Sequence, residues 1–322
     1  MKAIKITGKV LLYTVLFIVL FLLFLRLGVT LWYFDYFNQT QSEFLIPGLG
    51  DHWVPQGFDY LEEQDTYLFF GYMSDGTPSR VYLRSGEGNE YYVNLFYADG
   101  SDYTKHAGGI CHNGEYVYIA GDDGVDVFRL SDILKGRDAK KLGKLQLGHD
   151  TAYCSFYNGY LLVGNFYHPE TYETPAYHRI TTPAGNANTS LITIFMADEG
   201  AQFGIDPVPV AAISAPEKVQ GICFPSDSEI VLSTSYSLGS SNLYYHRIDT
   251  TRRGEVEACG TTVPLIYLDN ATLTDTLTFP PMSEELLYLD GRVYILCESA
   301  CNKYLYGKFI GGDLVYSYAP TT

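Results

Sequence analysis

Basic side chains are scarce in this sequence. Lys and Arg together number 21 against 37 Asp and Glu, a formal charge of −16. Phosphate backbones need the opposite sign, so nucleic acid is excluded as a partner. Cysteine is scarce too, and six in 322 residues make no disulfide scaffold. Cys111, Cys154 and Cys223 each stand in a strand-like run, where a thiol packs as a small hydrophobe. CESAC (297–301) holds the one close pair, Cys297 and Cys301; its spacing permits a local disulfide, and unpaired thiols are the simpler expectation. Outside the N-terminus no helix-period segment of useful length is found, apart from a short turn at SDILKG (131–136). Sharp catalytic motifs are missing as well: there is no G-x-S-x-G, H-E-x-x-H, Walker loop or EF-hand spacing.

One long apolar run is present. Lys2, Lys5 and Lys9 precede VLLYTVLFIVLFLLFL, and after Arg26 the apolar character resumes, so that 10–34 is long enough to cross a bilayer core, which takes roughly 20 residues. No small-residue cleavage pattern follows, which favours an uncleaved signal-anchor over a signal peptide. Lysines ahead of the span place residues 1–9 in the cytoplasm and residues 35–322 outside it, an extracellular domain on the cell membrane. Trp32, Tyr33 and Tyr36 suit the outer interface.

Residues 35–322 read as one all-β domain. Tyr is abundant at 29, a strand former whose ring packs while its hydroxyl stays wet. Five units share one grammar. Each opens with a short run: PQGFDY (55–60), GGICH (108–112), CSFYN (154–158), QGICF (220–224) and EELLYL (284–289). Beyond the turns EEQD, NG, NG, PSDS and DG comes a more apolar second run, as in TYLFFGY (66–72) or RVYILCES (292–299); NG and DG between apolar runs are strong hairpin signals. A third run follows in all five units. A fourth follows in the first four, at 90–97, 140–147, 207–213 and 262–268. The fifth unit lacks it, and SEFLIPG (42–48), just after the anchor, is free to supply it. Four-stranded units repeated radially and closed by a strand from the other terminus predict a β-propeller with a Velcro closure. Five blades is the count, with six the next that the pattern admits.

In a propeller the first strands line the axis, so their opening residues converge. Gln56, Cys154, Gln220 and Glu284 occupy that position, with His106 beside them and Asn165, Ser235 and Glu298 at the ends of second strands. These are the candidate ligand-binding residues, together with Tyr167 and His168 from an unusually long connection, FYHPETYETPAYHRITTPAGNANT (166–189). Its length and aromatic content predict a flap over one face. Gly57 and Gly221 are expected to let backbones crowd at the axis. Asn38, Asn188 and Asn270 stand in N-x-S/T sequons.

Glu284, Glu298 and Asn165 offer the oxygen donors that a hard cation such as Ca²⁺ takes. With its repeat plan and polar axis over residues 42–322, the chain resembles, in architecture, the gluconolactonase-like and YncE-like bacterial propellers. In the former, acidic and amide side chains at the axis hold a divalent metal for lactone hydrolysis, and the resemblance implies the same use of such residues here. The residues themselves predict a membrane-anchored module that binds a small molecule, a glycan or a protein at its axial mouth. A metal-dependent hydrolase or lyase is the alternative.

Overall fold

Lys2–Trp32 forms a single helix, with Phe34–Gln39 continuing it after a break at Tyr33; this is a computed structural model that describes residues 2–320. Met1 of the expected cytoplasmic segment and the last two residues lie outside the described range. The stretch Gly8–Trp32 is long and apolar enough to cross a membrane, with a mean hydropathy of 2.7 over its most apolar window.

The rest of the chain is a five-bladed β-propeller. In each blade the first four strands run antiparallel from the axis outward: Trp53–Leu61, Thr66–Met73, Arg80–Ser85 and Glu90–Phe96 make the first blade, to whose outer edge Ala139–Lys140, at the head of the run expected in the second blade, adds in parallel. Ile110–His112, Tyr153–Tyr157, Val219–Ser226 and Ser283–Leu289 open the other four. Alternation sets this arrangement, because apolar side chains on both faces of the inner strands are buried between neighbouring blades. The expected apolar anchors Phe58, Ile110, Ile222 and Leu286 are all buried, whereas Phe156 is half-buried. Two hairpins turn as predicted: Asn158-Gly159 and Asp290-Gly291 each place consecutive residues at positive φ, the geometry that matches strand twist.

Closure also follows the sequence expectation. Thr40–Leu45 pairs antiparallel with Leu314–Tyr318 as the outer strand of the fifth blade. Tyr36, in the short helix before it, is buried against Phe279 and Tyr316 at 5.2 and 5.5 Å between ring centres, which fastens the N-terminal helical segment to the seam.

A whole strand departs from expectation as well. The run at 262–268, expected as the outer strand of the fourth blade, belongs to the third: Thr261–Tyr267 pairs parallel with Ile205–Ala215 and antiparallel with Arg253–Ala258. Leu273–Phe279 is the outer strand of the fourth blade. The physical reason is burial: Val263 and Leu265 fill a satellite core with Leu191 and Ala212 of the third blade, whereas most of Leu273–Phe279 is exposed. The long period between the fourth and fifth units is therefore partly an inserted hairpin.

Because strands alternate in direction, the connections from second to third strands and those between blades all emerge on one face. That loop face carries the flap, the start of each inner strand and the connection 298–313. The expected crowding at the axis is present. A Cβ on Gly57 would lie 2.6 Å from Ile110 N, and one on Gly221 would lie 2.5 Å from Glu285 Cα.

Candidate functional site: an acid pair at the axial mouth

The two Gln-Gly motifs open the first and fourth blades, which flank the fifth on either side in the ring. Their glutamines consequently reach the acids of the fifth blade from both sides. Gln56 Nε2 donates to Glu298 Oε2 at 2.9 Å and to its neighbour's carbonyl, Pro55 O, at 2.7 Å. Gln220 Nε2 donates to Glu284 Oε1 at 3.4 Å. His106, exposed on the connection into the second blade, shares a hydrogen bond of 3.1 Å with Gln56 Oε1 and packs on Tyr72 at 4.3 Å between rings. Five of the expected residues (Gln56, His106, Gln220, Glu284 and Glu298) thus meet at one mouth.

Three further residues complete it. Lys303, exposed on the loop face, donates to the Tyr72 hydroxyl at 2.6 Å and stands 5.1 Å from the centres of the Tyr72 and Tyr304 rings. The sequence pattern singles out none of them: Tyr72 stands in a second strand, where its ring reads as an ordinary strand former, and Lys303 and Tyr304 lie in a connection without period. Beneath the mouth Glu285 is buried, and neither of its carboxyl oxygens finds a hydrogen-bond partner. It fits only because residue 109 is glycine, where a Cβ would lie 1.8 Å from Glu285 Oε2.

Electrostatically the floor is poised for a proton. Burial pushes the Glu298 carboxyl up to about 7, while the charge of Lys303 and the Gln56 amide oppose the rise. Glu284 is raised well above the usual carboxylate range by burial and then by Glu298; Glu285 is raised by burial and then by Cys154. A mouth floored by carboxyls that hold protons near neutral pH can both donate and accept hydrogen bonds. Such pairs gather at functional sites.

The other expected residues lie elsewhere. Cys154 is buried, its thiol donating to the carbonyls of Gly109 and Tyr118 at 3.5 Å each, beside Glu285 and apart from the His106 imidazole. Asn165 is committed: its Oδ1 accepts from Leu191 N at 2.8 Å and its Nδ2 lies 2.7 Å from His178 Nδ1. The Ca²⁺ ligands expected from the sequence are therefore two at the mouth and one engaged in the flap, and among the described residues no three His, Cys, Asp or Glu side chains form a metal cluster. Two carboxylates beside an ammonium fall short of the six to eight oxygens that Ca²⁺ takes.

The flap is ordered. A two-stranded ribbon, Ile180–Thr181 with Ala187–Asn188, stiffens it. His178 is wholly buried, its pKa pushed down to about 3 by burial and then by His149, whose ring lies 4.9 Å away. Tyr167 lies under Arg179, 5.0 Å from the guanidinium, and His168 stacks on Tyr236 at 3.8 Å. Between ribbon and fourth blade opens a cleft of about 420 Å³, lined by Asn188, Lys218, Ser235, Asn242, His246 and Asp269. Ser235 thus belongs to this cleft. Asn188 is no glycosylation acceptor in the folded chain: it is buried, and its amide donates to Ser214 Oγ and Leu268 O at 2.8 Å each. All six cysteines, the 297 and 301 pair included, are free thiols.

No family model matches this sequence, and no curated protein does. Among solved structures the chain is similar to a gluconolactonase, at 11% identity and a TM-score of 0.42 over 87% of this chain and 92% of that one. It is also similar to Myxococcus xanthus glutaminyl cyclase, at 13% identity and 0.43 over 80% and 91%. A β-xylosidase aligns at 11% identity and 0.46 over 87% and 94%. A gluconolactonase, the kind of protein the repeat plan was expected to resemble, is thus among the structures the chain is similar to. The blade count rests on the strand pairing alone.

Proposed function

We propose that the protein is a membrane-anchored propeller, its N-terminus in the cytoplasm and residues from 35 onward outside, that binds a ligand at its axial mouth. The observation that supports this most is the acid pair Glu284 and Glu298, clamped from both sides by Gln56 and Gln220 and rimmed by exposed His106 and Lys303. Buried carboxyls cost stability, and a binding site is a physical reason to keep them. Two carboxyls, two amides, an imidazole and tyrosine rings suit a hydroxyl-rich ligand such as a glycan fragment. Adding sugars, lactones and cell-wall fragments to the detergent-solubilised chain should reveal at least one that raises the melting temperature, with the rise lost in His106→Ala. A panel without any responder would sink the reading.

A second seat is favoured by one observation, the open cleft of about 420 Å³ under the flap, a size typical of ligand pockets. A Ca²⁺-dependent hydrolase or lyase would use the same acid pair. Lys303 opposes a cation there, so added Ca²⁺ should leave the melting temperature unchanged; a Ca²⁺-dependent rise would favour the hydrolase.

A further inference from the structure

The anchor and the mouth share a face. Where the anchor region meets propeller loops, it meets loops of the mouth's face. Tyr33 OH lies 2.9 Å from Ser240 Oγ in the fourth blade. The Arg26 guanidinium packs on Gly311, where a Cβ would lie 2.8 Å from its nitrogen, and Gly307–Ile310 lies against the long helix. Arg26 precedes Trp32 by six residues, about 9 Å along a helix. The connection of the fifth blade therefore reaches well into the length of the apolar span.

We infer that the loop face bearing the axial mouth is also the surface on which the propeller rests against the lipid bilayer. The side chains it presents fit that partner. Leu238, Leu305 and Phe309 are 68%, 49% and 44% exposed, and no neighbour within the chain covers them. KYLYGKFI (303–310) alternates lysines with tyrosines and large apolar residues, the composition of a segment lying at the headgroup level. The flap adds exposed Tyr172 and Tyr177 to the same face, and Trp32 stands 79% exposed at the end of the helix. The opposite face presents the turns EEQD, NG, NG, PSDS and DG, which are polar. The bilayer is the one occupant already tied to this face, because the chain's own membrane helix leaves from it. This inference rests on the anchor reading and not on ligand binding.

The test uses the full chain in phosphatidylcholine vesicles. Leu238→Cys, Leu305→Cys, Phe309→Cys and, on the opposite face, Tyr160→Cys are each labelled with a fluorophore, with the unsubstituted chain giving the background from its own thiols. Nitroxide-bearing lipid should quench the labels at 238, 305 and 309 several-fold more than the label at 160, and iodide in the water should do the reverse. Four labels equally open to iodide and equally blind to nitroxide lipid would overturn the inference while leaving the anchor intact. Shielding that grows only as protein is crowded into the vesicles would also overturn it, by assigning the face to a second copy. Release of the chain from vesicles by alkaline carbonate would overturn it together with the anchor.

Discussion

Replacing Glu298 by Gln keeps the shape of the side chain and an acceptor for the Gln56 amide while removing the charge. In the folded chain the Glu298 carboxyl stands at about 7 against 4.5 for the ordinary group. At roughly 1.4 kcal/mol per pH unit the gap is worth about 3 kcal/mol. The sign follows from the direction. An acid whose folded pKa is raised gives stability that is fully present below about 4.5 and is lost as the pH rises through about 7. Wild type should therefore lose this increment between pH 5 and pH 8, and Glu298→Gln should not. At pH 8 the variant should be the more stable, by about 5 °C in melting temperature at roughly 2 °C per kcal/mol for a domain of this size. At pH 5 the two should nearly coincide. Glu285 titrates in both proteins and cancels, whereas Glu284, relieved of its charged neighbour, adds to the gain. Thermal unfolding of both chains in one detergent, followed by intrinsic fluorescence across this pH range, reads the effect. A variant less stable than wild type at pH 8 would refute the reasoning, because it would mean that Glu298 is ionised and stabilised by Lys303.

Other expectations concern the scaffold and its topology. Asp126 is buried and meets the half-buried Lys141 Nζ at 2.6 Å and the buried Tyr103's hydroxyl at 2.8 Å; Asp126→Ala leaves that hydroxyl without its acceptor and Lys141 without its counter-charge, and should cost about 1–3 kcal/mol in chemical unfolding, with a loss below about 0.5 kcal/mol counting against a desolvated cluster. Gly221→Ala would press a methyl group against the backbone of Glu285 and should destabilise by about 1–3 kcal/mol; a neutral result would mean that the blades spread easily at the axis. A protease added to intact cells should degrade the propeller, and complete protection would contradict the outward orientation.

Much of the fold was legible because strand alternation and Asn-Gly or Asp-Gly turns are local signals, and the repeat multiplied them fivefold. The swap between 262–268 and Leu273–Phe279 was not legible. The hairpin containing Thr261–Tyr267 joins its sheet through a parallel pairing with a strand some fifty residues earlier, and Leu273–Phe279 is largely exposed, with little apolar pattern to mark it. At the site, aligning the inner strands found the glutamines and Glu284, and the ends of the second strands supplied Glu298, since a propeller brings equivalent positions together. It could not find Lys303 or Tyr304, whose placement depends on how a non-repeating connection folds back over the mouth. Nor could alignment foresee that Asn165 would be spent on Leu191 and His178.

The most direct test of the binding account is calorimetric titration of the strongest responder from the ligand panel into the full chain in vesicles, with His106→Ala and Asn242→Ala as the paired variants. The axial mouth as binding site predicts a loss of affinity of at least about tenfold, some 1.4 kcal/mol, in His106→Ala and none in Asn242→Ala. Unchanged affinity in His106→Ala with a loss in Asn242→Ala would contradict it and move the site to the cleft under the flap.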